Sequence, residues 1–143
     1  MEEKIPPRLQ EIVEDFQILQ GRERLEYLLQ LADSLPPLPE WLHDERDNMD
    51  EVHECMTPVF IYADRTDNGL QYHFDVPQES PTVRGYAAIL HEGTRGLSPE
   101  EVLAIPPEFY HEMGLQEVLS AQRLNGIGAI LRHVKQLAQE KAA

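Results

Sequence analysis

Apolar residues recur at three- and four-residue spacing from Leu9 to Leu35: Leu9, Ile12, Val13, Phe16 and Leu19, then Leu25, Leu28, Leu29, Ala32 and Leu35. Each set falls on one face of a helix, and Gly21 divides the run into two. Pro36, Pro37 and Pro39 fix φ and remove three backbone donors, so the second helix is expected to end there and the chain to run extended.

The period then changes. Residues 58–63 and 70–76 are rich in β-branched and aromatic side chains, and Asp67-Asn68-Gly69 between them supplies turn chemistry, which predicts a β-hairpin. In its second strand Leu70, Tyr72, Phe74 and Val76 alternate with Gln71, His73 and Asp75, the pattern of one buried and one wet face. A third strand is expected, because an isolated hairpin is marginal; it falls within Val52 to Cys55 or after Val76.

Helical spacing returns with Val83, Tyr86, Ala87, Ile89 and Leu90, and ends at Gly93. Ser98, Pro99 and Glu101 form a capping-box signature for another helix, which Pro106-Pro107 stops; a short turn around Phe109 to Met113 ends at Gly114. The last helix runs from about Ser120 to Lys141, with Leu124, Ile127, Leu131, Val134 and Leu137 on one face. Helices, a hairpin, then helices, without βαβ alternation, predict an α+β fold: one domain, residues 1–143, with a small antiparallel sheet packed against several helices.

At 143 residues, 41% hydrophobic and 27% charged, the chain has ordinary globular composition. Its formal net charge of −14 excludes the usual electrostatics of nucleic-acid and anionic-membrane binding. The stretch from Met1 to Pro7 lacks the basic start and apolar core of a secretion signal, and no apolar run is long enough to span a bilayer. A cytoplasmic protein is expected, in a compartment that keeps a thiol reduced.

That thiol is Cys55, the sole cysteine, which follows an acidic run from Asp44 to Glu54. Alone it makes neither an internal disulfide nor a multi-thiolate zinc site, so its chemistry is that of a nucleophile or carrier, against the plainer alternative of a small buried hydrophobe. Asp50, Glu51 and Glu54 disfavour the thiolate, while a protonated His53 favours it, so Cys55 is expected to be quiet until a partner neutralises the acids or moves the loop.

Other motifs fall away. The His-Glu pairs at 53, 91 and 111 lack the second histidine of a zinc-protease helix, since positions 57, 95 and 115 are Thr, Arg and Leu. His53 and Cys55 do not complete a metal tetrahedron. Gly126-Ile127-Gly128 follows no strand and is no phosphate loop; glycines inside a helix point instead to close packing, and both are expected beside the cysteine loop.

The order of features resembles the SufE family of sulfur-acceptor, or cysteine-desulfuration, proteins of iron–sulfur cluster assembly. Residues 24–29, Arg-Leu-Glu-Tyr-Leu-Leu, with Leu35 to Pro39 are similar to its second helix and exit. Residues 52–60, Val-His-Glu-Cys-Met-Thr-Pro-Val-Phe, resemble its cysteine loop, and Val83-Arg84-Gly85 its post-hairpin helix. Residues 120–126, Ser-Ala-Gln-Arg-Leu-Asn-Gly, resemble its Ser-x-x-Arg-x-Asn-Gly signature. The chain departs at His53, at Glu54, where the family has glycine, and at Phe60; at position 54 a Cβ restricts φ and ψ.

The resemblance implies a carrier without a tightly bound cofactor, which takes persulfide sulfur from a pyridoxal-phosphate cysteine desulfurase of the SufS type, stimulates that enzyme, and relays sulfur to a SufBCD-type scaffold. Cys55 is then the acceptor, and His53, Glu54, Met56, Glu79 and Arg123 are the candidate partner-binding residues, Arg123 also orienting the thiolate or the acidic loop. A homodimer is left open. The alternatives are an interaction adaptor of the same fold with a structural Cys55, and a small thiol enzyme with a Cys55–His53 pair.

Overall fold

The computed structural model of the protein describes residues 2–142, so Met1 and Ala143, the ends of the expected domain, lie outside the described residues. Helices α1 (Pro7–Ile18) and α2 (Arg22–Ala32) lead through 3₁₀ turns at Glu40–Leu42 and Arg46–Asn48 into strands β1 (Asp50–Glu51), β2 (Phe60–Thr66) and β3 (Gly69–Asp75). Helices α3 (Pro81–Thr94), α4 (Pro99–Leu103) and α5 (Ala121–Ala142) follow, with 3₁₀ turns at Phe109–Met113 and Leu115–Glu117 between the last two. The sheet is antiparallel in the order β1-β2-β3, so the fold is α+β, as the periodicity predicts.

The apolar stripes become the core. Helix α1 buries Leu9, Ile12, Val13 and Phe16, and the chain reverses at Gly21, where φ is +53°. No basic residue lies in the last turn of α1, and Arg24 of α2 supplies the missing cation: its Nε donates to the carbonyls of Phe16 at 3.2 Å and Leu19 at 3.0 Å. Helix α2 stops at Ala32, earlier than the prolines require. Leu35, preceding Pro36, is disfavoured in helical geometry, and the Ser34 hydroxyl takes the Leu31 carbonyl at 2.7 Å. The expected capping box is formed at α4, with Ser98 and Glu101 reciprocally bonded and Pro99 at the first position.

Ile61 pairs with Phe74 and Ala63 with Tyr72, and all four face inward. The opposite face is not simply wet. Trp41 packs edge-on against Tyr62 and His73, and Arg46 lies over the Phe60 ring while pairing with Asp75, so the 3₁₀ turns half-cover that side. The third strand is Asp50–Glu51, just before the expected range. Its two residues oppose Ile61 and Phe60, and Val52 adds one more rung through its N–H to the Val59 carbonyl at 2.9 Å, after which the chain turns.

Helix α5 lies against β2, and the Tyr72 hydroxyl donates to the Val134 carbonyl at 2.8 Å inside the core. Among the described residues no helix is long and apolar enough to cross a membrane.

Helices α2 and α3 approach closely at Gly85, where an added Cβ would collide with the Leu28 backbone carbonyl. Elsewhere in a helix, glycine to alanine is worth about 1 kcal/mol of stabilisation. Here overpacking outweighs it, and Gly85→Ala is expected to destabilise by roughly 1–3 kcal/mol, seen as a lower urea midpoint; a raised midpoint would contradict the close approach.

Candidate functional site

The rung between Val52 and Val59 makes the segment 53–58 the connecting loop of the β1–β2 hairpin, and Cys55 sits within it, its N–H donating to the Val52 carbonyl at 3.3 Å. The loop folds onto α5. The Cys55 thiol is half-buried and donates to the Gly126 carbonyl at 3.5 Å, and the position a Gly126 Cβ would occupy is 3.5 Å from Sγ. Gly126 therefore supplies the close packing expected of a helix glycine. Gly128 does not join it: two residues on, a helix has turned by about 200°, and Gly128 faces Arg132 and a cavity lined by Pro107 and Tyr110.

Burial, first, and the Glu54 carboxylate, second, push the thiol up to about 11. The thiol is quiet as the acidic run implies, but mainly through packing. Asp50 is engaged elsewhere, and Glu51 lies 3.6 Å from the exposed His53 imidazole, which pairs there and is not bonded to the thiol. The histidine that matters to the loop is one the sequence does not single out. His133 of α5 has Nδ1 2.5 Å from Asp50 Oδ2 and Nε2 3.0 Å from Glu54 Oε1. Burial lowers its pKa, but the two carboxylates outweigh this and hold it above the usual histidine range. Glu54 in turn is held below the usual carboxylate range by its own backbone N–H and then by His133.

Glu54 causes no backbone strain, since among the described residues only glycines have positive φ. The loop accommodates a residue with a Cβ and points its carboxylate at α5.

In front of Cys55 lies a cleft of about 350 Å³, walled by Met56, by Glu79, Ser80 and Thr82 at the start of α3, and by Ser120 and Arg123 at the start of α5. The Ser-x-x-Arg spacing has a local cause: the Ser120 hydroxyl accepts from the Arg123 N–H at 3.3 Å and so caps α5. The Arg123 side chain then crosses to α3, with Nη1 3.4 Å from the Thr82 hydroxyl. It lines the cysteine cleft, while its hydrogen bond goes to Thr82 rather than to the thiol or the acidic loop. Glu79 is exposed at the rim, and Met56 is 80% exposed. Among the described residues no group of three or more His, Cys, Asp or Glu side chains is arranged to hold a metal ion.

A raised thiol pKa means less thiolate at every pH below it. Alkylation of Cys55 by iodoacetamide in the isolated, folded chain is therefore expected to rise with pH through about 11, against about 8.5 for a free cysteine. A midpoint at or below that of free cysteine would contradict the packed thiol.

Residues 10–138 match the family model SufE, described as an Fe-S metabolism associated domain. An uncharacterized SufE-like protein of Mycobacterium tuberculosis is 39% identical over 137 residues, spanning 95% of this chain and 94% of its own length. The sulfur acceptor protein CsdE of Escherichia coli is 30% identical, over 79% of this chain and 75% of its own. The solution structure of a hypothetical protein from Thermus thermophilus superposes with a TM-score of 0.84 at 37% identity, covering 96% of this chain and 97% of that one. With the family model running through both the cysteine loop and the start of α5, this chain belongs to the SufE family.

Proposed function

We propose that this protein is a sulfur acceptor that works with a cysteine desulfurase and carries the sulfur on Cys55. The observation that carries the reading is the placement of the chain's sole thiol: half-buried against the Gly126 carbonyl, in a hairpin loop, at a cleft shared with Arg123. A sulfane sulfur held there is shielded from bulk reductants, and the loop has room to move outward when a partner docks.

The transfer is one thiol exchange. The Cys55 thiolate attacks the terminal sulfur of the desulfurase's cysteine persulfide; a new sulfur–sulfur bond forms on Cys55, the old one breaks, and the desulfurase cysteine leaves as a thiolate. No net oxidation occurs. With its pKa raised to about 11, Cys55 needs docking to expose it and offset Glu54 before it reacts at neutral pH.

Arg123 is the cation within the cleft, and its guanidinium is suited to hold the thiolate or the persulfide anion once the loop has moved. Met56 and Glu79 border the cleft, and His53 and Glu54, exposed on the same loop as Cys55, complete the surface offered to the desulfurase. Stimulation of a SufS-type desulfurase and onward relay to a SufBCD-type scaffold complete the reading. The similarity to an E. coli protein named as a sulfur acceptor supports it.

Incubation with a cysteine desulfurase, cysteine and pyridoxal phosphate, followed by intact mass measurement, is expected to show a gain the size of one sulfur atom, absent in Cys55→Ser. No gain, with no stimulation of the desulfurase, would favour an adaptor in which Cys55 is structural. In the same assay Arg123→Ala is expected to slow sulfur uptake roughly two- to fivefold, the scale of an exposed charge pair. An unchanged rate would remove Arg123 from the site.

A further inference from the structure

The carboxylates and imidazole behind the cysteine loop take no part in the exchange chemistry, yet they bracket the loop. Asp50 lies just before the rung that closes the hairpin, and Glu54 is the immediate neighbour of Cys55. His133 stands on α5 about two turns beyond Gly126. One imidazole thus contacts the strand leading into the loop through Nδ1 and the loop itself through Nε2, at 2.5 and 3.0 Å.

Among the described residues, the other polar contact between loop and helix is weak by comparison. A thiol is a poor donor, and the Cys55 Sγ to Gly126 carbonyl distance is 3.5 Å. Hydrogen bonds between an imidazolium and carboxylates are about twice as strong as neutral ones. The His133 side chain is only 15% exposed, so solvent competes poorly for it, whereas the Glu54 side chain is 48% exposed and within reach of a docking protein.

We propose that His133 is the positioning residue of the cysteine loop: by bridging Asp50 and Glu54 it latches the loop onto α5 with the thiol shielded, and a basic side chain of the partner that captures Glu54 opens the latch. The latch is a property of the free chain, whereas its opening rests on the sulfur-acceptor reading above. The charged groups in play are Asp50 from β1 and Glu54 from the loop, with Arg132 beside His133 on α5 also acting on Glu54.

Electrostatics and latching predict opposite signs for the loss of His133. Taking the cation from Glu54 would by itself leave an unpaired carboxylate beside the thiol, depress the thiolate and slow alkylation. Releasing the loop exposes the thiol and quickens it.

The test is the rate of Cys55 alkylation by iodoacetamide in the isolated full chain at one fixed pH, with thermal unfolding recorded for each variant. His133→Ala is expected to react roughly three- to tenfold faster than the parent, the size of one ordinary hydrogen bond lost, since solvent at half-exposed Glu54 offsets part of the charge assistance. His133→Lys, which keeps a cation for both carboxylates, is expected to return the rate to within about twofold, a rescue that loss of packing alone would not give. Asp50→Asn weakens the latch from β1 without touching a charge that shifts Cys55, and is also expected to quicken the reaction; it decides the matter should His133→Ala not fold. A folded His133→Ala, or in its place Asp50→Asn, that reacts at the parental rate or slower overturns the latch. Because no desulfurase is present, failure here is distinct from failure to take up sulfur.

Discussion

The buried hydroxyl of Tyr72 donates to the Val134 carbonyl at 2.8 Å, tying the middle of the sheet to the middle of α5, and the site depends on how that helix is seated. A helix displaced by one residue moves about 1.5 Å along its axis and turns by about 100°. Such a slip would put a side chain where Gly126 now admits the cysteine and would swing His133 away from Asp50 and Glu54. A buried hydroxyl left without its acceptor costs about 1–3 kcal/mol, so the seating is specified by a polar contact as well as by shape. The neighbouring apolar residues Ile127, Ile130 and Leu131 are buried but directionless, and would tolerate small shifts more readily.

Around that seating, the fold separates protection from chemistry. Packing keeps the thiol protonated, and the acidic loop is held down by an imidazole on the far side of the cysteine from Arg123. The cleft in front stays open, bounded by the starts of α3 and α5.

Much of this is legible in the chain, for identifiable reasons. The stripes from Leu9 to Leu35 and from Leu124 to Leu137 announce their helices because burial on one face imposes the spacing, and Ser98 with Glu101 announces a cap because both partners are local. Strand β1 escapes such reading, since Asp50 and Glu51 have poor strand propensity and are extended only because β2 offers them hydrogen bonds. Gly126 is legible as a packing glycine, but which of two nearby glycines meets the loop depends on helix phase against the sheet. His133 is the clearest omission. An isolated histidine on a long polar-faced helix reads as surface, and its partners lie 83 and 79 residues away. The signal that could have found it is the concentration of carboxylates before Cys55, which calls for a cation from another element.

The Val52–Val59 rung has one further consequence, a limit on travel. Cys55 is the third residue beyond Val52, and three extended residues span about 10 Å, so the thiol swings on a short leash anchored in the sheet. An atom with which it is to bond must be brought inside that radius, or the hairpin must unzip from its first strand. For a sulfur donor of the kind proposed above, the geometry is thus constrained from this side: while the hairpin stays zipped, the donor's reactive sulfur has to come within reach of that short tether.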